Sequence, residues 1–419
     1  MNRLTRVGLD KGGLLAATLV GCAAAFCALP ASAQVNAEVV HAYTGGGDAA
    51  AIKVLADHYN AAGGHWVDIA IGGFANAQAA AMNMTIAGDA PAAVHYGLAL
   101  DLVELEREGL LNNVDDVATA EDWDNLVLDV FKLGIKVDDH WVAVPTALNG
   151  VNFLWHSDAA FKKAGIESVP KNWDEFFAAL DKLKAAGLVP LAVGGLSYLE
   201  QHLFNFVLLE RGGADLYLRF YRDGDVDAVR SPEFLDVLET FGRLREYGDP
   251  NSPGRSWDQT IALLIKGEGG FHVAGEWVKG AFTGAGQVNG VDFGCDIGLG
   301  STPLIVGGDI LAFPKSDDAD VVAAQKLLAK VIFSPEVQKA FNDAKGAYSP
   351  RKGVLTGMTD PCAQQAQAKF DAEDVIAAGD VFVTAERKGA IRDALTTFWN
   401  SREMTPEQAA EAFVVALQN

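Results

Sequence analysis

From residue 38 to residue 108, short apolar runs alternate with longer stretches in which apolar side chains recur every three or four positions. Residues 38–43, 66–71 and 92–96 read as strands, and residues 48–62, 76–87 and 98–108 as helices. In the first helix Ile52, Leu55, Ala56 and Tyr59 fall on one face. This alternation predicts a parallel sheet covered by helices on both faces. Farther along, helix starts are marked by capping chemistry. Asn172, with Glu175 three residues on, precedes the apolar set Phe176, Phe177, Leu180 and Leu183, and Gly187 stops the helix. Ser231-Pro232-Glu233, Ser334-Pro335-Glu336 and Thr405-Pro406-Glu407 each supply a capping hydroxyl, a proline for the first turn and an acid. Residues 188–193 and 310–313 read as further strands. There is neither a repeat nor a low-complexity linker, so a second α/β unit follows the first without a flexible tether.

The apolar run at residues 12–29 is of another kind. Arg3, Arg6 and Lys11 precede it, Pro30 ends it, and Ala31-Ser32-Ala33 offers a small-residue cleavage site before Gln34. This is the three-part pattern of a secretory signal peptide over residues 1–33, and the run is short for a membrane-spanning helix. Leu19-Val20-Gly21-Cys22 also has the shape of a lipoprotein cleavage site, which would leave a lipidated Cys22. The Ala-Ser-Ala site ends the run more naturally, so a soluble, exported mature protein is expected.

The formal charge is −22, and removing residues 1–33 takes it to about −24. Such a chain lacks the clustered cations that nucleic-acid phosphates require, and its charge favours a soluble monomer. The length exceeds what one core holds and suggests about two domains. Of the four cysteines, Cys22 and Cys27 fall in the signal segment. Cys295 and Cys362 remain in a chain bound for an oxidising compartment, where a disulfide is the expected state and two thiols cannot complete a tetrahedral metal shell.

Ligands of parallel sheets bind beyond the carboxyl ends of the strands. The first three strands end in Tyr43-Thr44-Gly45-Gly46-Gly47-Asp48, in Gly72-Gly73-Phe74-Ala75-Asn76-Ala77-Gln78 and in His95-Tyr96-Gly97. Each combines glycine, which permits close approach, with aromatic and polar side chains, a mixture suited to the C–H faces and hydroxyls of a sugar. The alternative for each loop is ordinary turn punctuation with Tyr43 packing inward. No Gly-Lys-Ser/Thr ending makes a phosphate loop, Gly195-Leu196-Ser197-Tyr198-Leu199 fails as a nucleophile elbow, and there is no His-Glu-x-x-His zinc helix. Neither a cofactor nor a catalytic residue is assigned. A paired-carboxylate glycosidase or a binder serving a sensor are the other readings the chain allows.

Several stretches resemble the glucose/mannose-type solute-binding proteins of bacterial ABC importers, within the group that includes maltose-binding protein. They are residues 145–155 (PTALNGVNFLW), 171–187 (KNWDEFFAALDKLKAAG), 249–277 with its Gly-Glu-Trp ending, 341–352 (FNDAKGAYSPRK) and 389–399 (GAIRDALTTFW). The resemblance implies a type II periplasmic-binding-protein fold, with two α/β lobes, a hinge and a ligand cleft between them. The amino lobe would hold residues 34–143 and 302–348, and the carboxyl lobe residues 144–301 and 349–419. It further implies a sugar ligand and a membrane permease as partner. Carried over by position, ligand contacts fall at Asp48, Gln78, Trp277, Lys345 and either Gly308 or Asp309, with Trp257 and Tyr198 as further aromatics. The loop residues Tyr43, Asn76 and Tyr96 complete the candidate set. The chain departs from the glucose binders at Ala42-Tyr43, where they carry paired tryptophans, at Tyr96 in place of a lysine, and at Gly379-Asp380 in place of a histidine. Another monosaccharide, a glycoside or a modified sugar is therefore expected.

Overall fold

The computed structural model describes residues 35–44, 46–300, 302–354 and 360–418. The signal-peptide and Cys22 assignments, and Gly45, lie outside them. Twelve strands are present among the described residues: β1 (Val35–His41), β2 (Gly64–Ala70), β3 (Ala93–Gly97), β4 (Lys136–Val137), β5 (His140–Trp141), β6 (Ala143–Gly150), β7 (Phe153–Ser157), β8 (Val189–Leu191), β9 (Gly269–Ala274), β10 (Phe293–Ile297), β11 (Leu304–Ala312) and β12 (Val375–Ala377). A six-stranded sheet runs β12-β11-β3-β1-β2, with β6 on the other side of β11, and a four-stranded sheet runs β10-β7-β9-β8. β4 and β5 form a small hairpin.

The first strands and helices lie within three residues of where periodicity puts them, and β1 pairs in parallel with β2 and β3. The whole sheet is not parallel, however. β11 runs antiparallel to both β3 and β6 because it returns from the second sheet and enters from the cleft end. Every residue of β6 and β11 is buried, consistent with strands covered on both faces. The predicted caps form as read: Ser231, Ser334 and Thr405 each accept a backbone N–H of the first turn, and Asn172 accepts from Glu175 N at 2.9 Å.

Two apolar cores accompany the two sheets. One packs Trp123, Phe131, Phe313 and Phe341 around β1, β3 and β11, and the other gathers Phe176, Phe204, Phe220, Phe234 and Phe413 beside β7 and β9. The first core also takes in Trp155, Ala274 and Phe293 of the second sheet, so it is the two sheets that mark out a two-lobed α/β protein. β6 leaves the first sheet at Gly150 and becomes β7 of the second, while β10 leaves the second and returns as β11. Asn152 ties these crossovers together. Its Oδ1 accepts from Ile305 N at 2.8 Å, its Nδ2 donates to Pro303 O at 3.0 Å, and its carbonyl accepts from Gly298 N at 3.4 Å. Cys295 and Cys362 are disulfide-bonded, with Cα atoms 5.9 Å apart, joining β10 to the helix Pro361–Asp371.

Candidate ligand-binding site

The carboxyl end of β3 lies opposite the middle of β11, with Gly97 paired to Asp309. A register shift between Asp309 and Ile310 inserts Thr146 into the β6 side of the ladder, and Thr146 Oγ1 donates to Asp309 O at 2.9 Å. Such bulges re-aim side chains. Gly308 is the other candidate at this turn, and the space beside it is filled. A Cβ there would sit 2.3 Å from the Phe131 ring, so the glycine is set by packing against that ring.

Lys345 ends the helix Pro335–Lys345, which Gly346 closes in the left-handed region at φ 79°. Its Nζ lies 2.8 Å from Asp48 Oδ1, 3.3 Å from Asp309 Oδ2 and 5.1 Å from the centre of the Tyr43 ring. Burial pulls the Lys345 ammonium down, but Asp48 and Asp309 outweigh it and hold it above the ordinary lysine range. Burial likewise opposes ionisation of Asp309, yet Lys345, His95 and Asn149 hold its carboxyl well below the usual carboxylate range. Asn149 Nδ2 donates to Asp309 Oδ2 at 3.2 Å. His95 Nδ1 accepts from Ala42 N, which turns its Nε2 toward Asp309 Oδ1 at 3.4 Å. The ring of Tyr43 lies 4.0 Å from that of His95, and the ring of Phe74 4.6 Å from it.

Around this ion cluster several buried polar atoms lack a hydrogen bond of good geometry among the described residues: Tyr43 Oη, His95 Nε2, Asn149 Oδ1 and Glu276 Oε1. Native interiors rarely leave such groups unmatched, so their convergence marks a place built to receive polar groups. Glu276 lies in the turn that follows β9 and accepts the Gly150 N–H at 2.6 Å through Oε2. Burial pushes its carboxyl up to about 8.

An aromatic wall gathers around His202. Trp277 packs against both apolar cores, and its ring lies so close over Gly275 that a Cβ there would fall 1.9 Å from it. The ring of His202 is 5.6 Å from Trp277 and 5.9 Å from Tyr198, and burial lowers its imidazole to about 4, which keeps it neutral at pH 7. The lobes also touch elsewhere. Gly280 stands over Gly47, with a Cβ on it 3.9 Å from the Gly47 Cα, and Lys388 bridges to both oxygens of Asp101 at 2.8 and 2.9 Å.

Of the sequence candidates, Tyr43, Asp48, Asp309 and Lys345 are brought into one cluster, and Trp277 and Tyr198 into one wall. Tyr96 is not among them. It alternates with His95 along β3 and faces the opposite side of the sheet, beside Ala81, Met82 and Leu105. Asn76 is exposed, and its Nδ2 donates to Gly72 O at 3.0 Å in a local turn. Trp257, half-buried, packs on the first core at the start of the helix Trp257–Ile265, and Gln78 is half-buried on the helix Phe74–Ile86. His95, Asn149, His202 and Glu276 were missed. Alternation along β3 could have singled out His95 once Tyr96 was assigned outward.

Two α/β lobes on two sheets, joined by chain crossovers and carrying a polar cluster where β3 meets β11, form the frame of a solute-binding protein. Residues 54–370 match the bacterial extracellular solute-binding protein family, and the chain belongs to that family of binding proteins, which are not enzymes. A probable sugar-binding periplasmic protein of Brucella melitensis biotype 1 is 33% identical over 399 residues, covering 93% of each chain. An ABC transporter extracellular-binding protein of Pyrococcus horikoshii is 30% identical over 334 residues, 77% of this chain and 74% of that one. Among solved structures, a chitin oligosaccharide binding protein superposes with a TM-score of 0.77 at 20% identity, covering 92% of this chain and 98% of that one.

Proposed function

We propose that this protein is the exported, periplasmic substrate-binding component of an ABC importer and takes a carbohydrate in the cleft between its lobes. The carrying observation is the Asp48–Lys345–Asp309 cluster, whose Lys345 and Asp309 are buried, with unmatched polar atoms around it, together with the rings of Trp277 and Tyr198 gathered around His202. A sugar presents donors and acceptors around its rim and apolar faces above and below, which suits such a site. The sugar-binding and ABC-transporter names of the relatives agree with this reading.

In this reading the amino lobe comprises residues 34–150 and 302–348, since β6 stays in the first sheet as far as Gly150 instead of leaving it at residue 143, and the carboxyl lobe takes the remainder of the mature chain apart from β12, which pairs with β11. Residues 1–33 act as a cleaved signal, the mature protein is a monomer, and the ligand-closed form is what the membrane permease recognises. Asp48, Asp309 and Lys345 bond hydroxyls, Trp277 stacks on the ring, and Gln78 reaches the ligand from the amino lobe. A thermal-shift screen of neutral sugars, sugar acids and glycosides tests it. A ligand at 100 times its dissociation constant stabilises by about 2.7 kcal/mol. A shift from amino acids or metal ions, with none from any carbohydrate, would refute the sugar assignment. Product analysis after overnight incubation should return the sugar unchanged.

A further inference from the structure

Glu276 joins the ligand cluster to the lobe crossover. Its main-chain N–H donates to Gly150 O at 3.2 Å, and Gly150 N–H donates back to Oε2 at 2.6 Å. Gly150 is the last residue of β6, directly before the crossover stapled by Asn152. The side chain is therefore fixed at one oxygen and only 2% exposed, while its other oxygen, Oε1, has no hydrogen bond among the described residues. The titratable groups acting on it are Lys345 from its helix end, Asp309 from β11 and the Tyr348 hydroxyl from the segment after Lys345. Asp48 stands one ion pair farther, beyond Lys345.

An ionised carboxylate with one unmatched oxygen is expensive in so dry a place, and Lys345 is already shared between Asp48 and Asp309. A protonated acid fits better. Oε2 keeps the Gly150 N–H as an acceptor, and Oε1 carries the hydrogen and becomes a donor. Burial, outweighing the residue's own main-chain N–H, Lys345 and the Gly150 bond, favours the same state at neutral pH.

We propose that Glu276 is a positioning residue for the ligand, donating a hydrogen bond from Oε1 to a sugar oxygen while Oε2 holds Gly150, so that one side chain ties the occupant to the crossover. This rests on the carbohydrate reading above. The ligand-bound state then needs the proton, and affinity falls as pH rises through the acid's range.

The test is calorimetric titration of wild type, Glu276→Gln and Glu276→Ala with the tightest binder among D-glucose, D-galactose, D-xylose and raffinose. Glutamine offers Gly150 an acceptor and the ligand a donor at every pH. Wild type should lose about tenfold in affinity between about pH 6.5 and pH 9. Glu276→Gln should stay within about threefold of wild type at about pH 6.5 and remain level to pH 9, whereas Glu276→Ala falls by tenfold or more at both. A wild-type affinity that is level across this range, or a glutamine variant as weak as the alanine one, overturns the proposal. If no sugar of the panel binds any variant, the carbohydrate reading suffers, and Glu276 is judged on the ligand-free protein. Infrared titration should then show a protonated-carboxyl band that is lost near pH 8 and missing in Glu276→Gln. Its absence from wild type at neutral pH overturns the proton on Glu276.

Discussion

Replacing Lys345 by methionine removes the cation lying between Asp48 and Asp309 and keeps the aliphatic stem. At an effective dielectric of about 20, a unit-charge pair at 2.8 Å attracts by about 6 kcal/mol and one at 3.3 Å by about 5 kcal/mol. Dehydration of the three groups offsets most of this attraction. The net loss on deleting one partner of a buried pair is about 3–5 kcal/mol, because a charge is left behind without compensation. At about 2.1 cal/mol/K per residue over the folded chain, that lowers the melting temperature by about 4–6 °C. The pH dependence separates this cause from lost packing. In wild type the depressed Asp309 contributes stability above its unfolded pKa, and that contribution is lost as pH falls through lower values. Without Lys345 the Asp309 carboxyl is driven upward by burial, so its ionisation opposes folding and acidification relieves the strain. Calorimetric melting of both proteins should therefore give the largest gap near pH 7, shrinking as pH drops toward about 4. An unchanged melting temperature at pH 7, or a gap that does not vary with pH, would refute the reasoning.

Trp277→Ala should weaken sugar binding at least about tenfold while the protein stays folded, since truncating a desolvated aromatic anchor commonly loses about 2 kcal/mol or more; equal affinity by calorimetry would return Trp277 to a packing role. Reducing the Cys295–Cys362 bond, which spans 67 residues, should lower stability by about 4 kcal/mol in the loop-entropy account, read from denaturant midpoints of Cys362→Ser. Asp101→Asn should weaken ligand binding by about threefold, as befits a partly exposed ion pair that holds the lobes together, and a double-mutant cycle with Lys388→Met should show coupling.

Much of the architecture was legible because its signals are local. Periodicity placed the first strands and helices, and hydroxyl-proline-acid triplets placed three helix starts, since caps are decided by residues within one turn. What failed was non-local. Nothing in residues 304–312 announces that the strand enters the first sheet in reverse, because that direction follows from where the chain has come from. The site divides the same way. Asp48, Asp309 and Lys345 were nominated through resemblance by position and lie together in one ion cluster, whereas only the fold shows that the Phe131 ring fills the Gly308 side of the strand. Tyr96 was chosen over His95 because a tyrosine looks suited to a sugar, although neighbouring strand residues must face opposite ways. Glu276 was quoted in the Gly-Glu-Trp segment and passed over for its tryptophan. An abundant acid carries no signal until burial and a missing hydrogen-bond partner single it out.

Asn152 has a consequence for how the molecule moves. If the two bodies swing as proposed above, the separate ribbons between them could each bend, shear and twist. Clamping two of those ribbons, at residues 150–152 and 298–305, to one amide would stiffen sliding and torsion and leave swinging as the softer coordinate. Opening would then approach a one-dimensional event, in which every departure retraces the path of arrival. Atoms on the outer rims of the two bodies would keep one spacing when shut and a wider one when open. A partner docking on those rims could read occupancy from that spacing alone, without touching what is held inside.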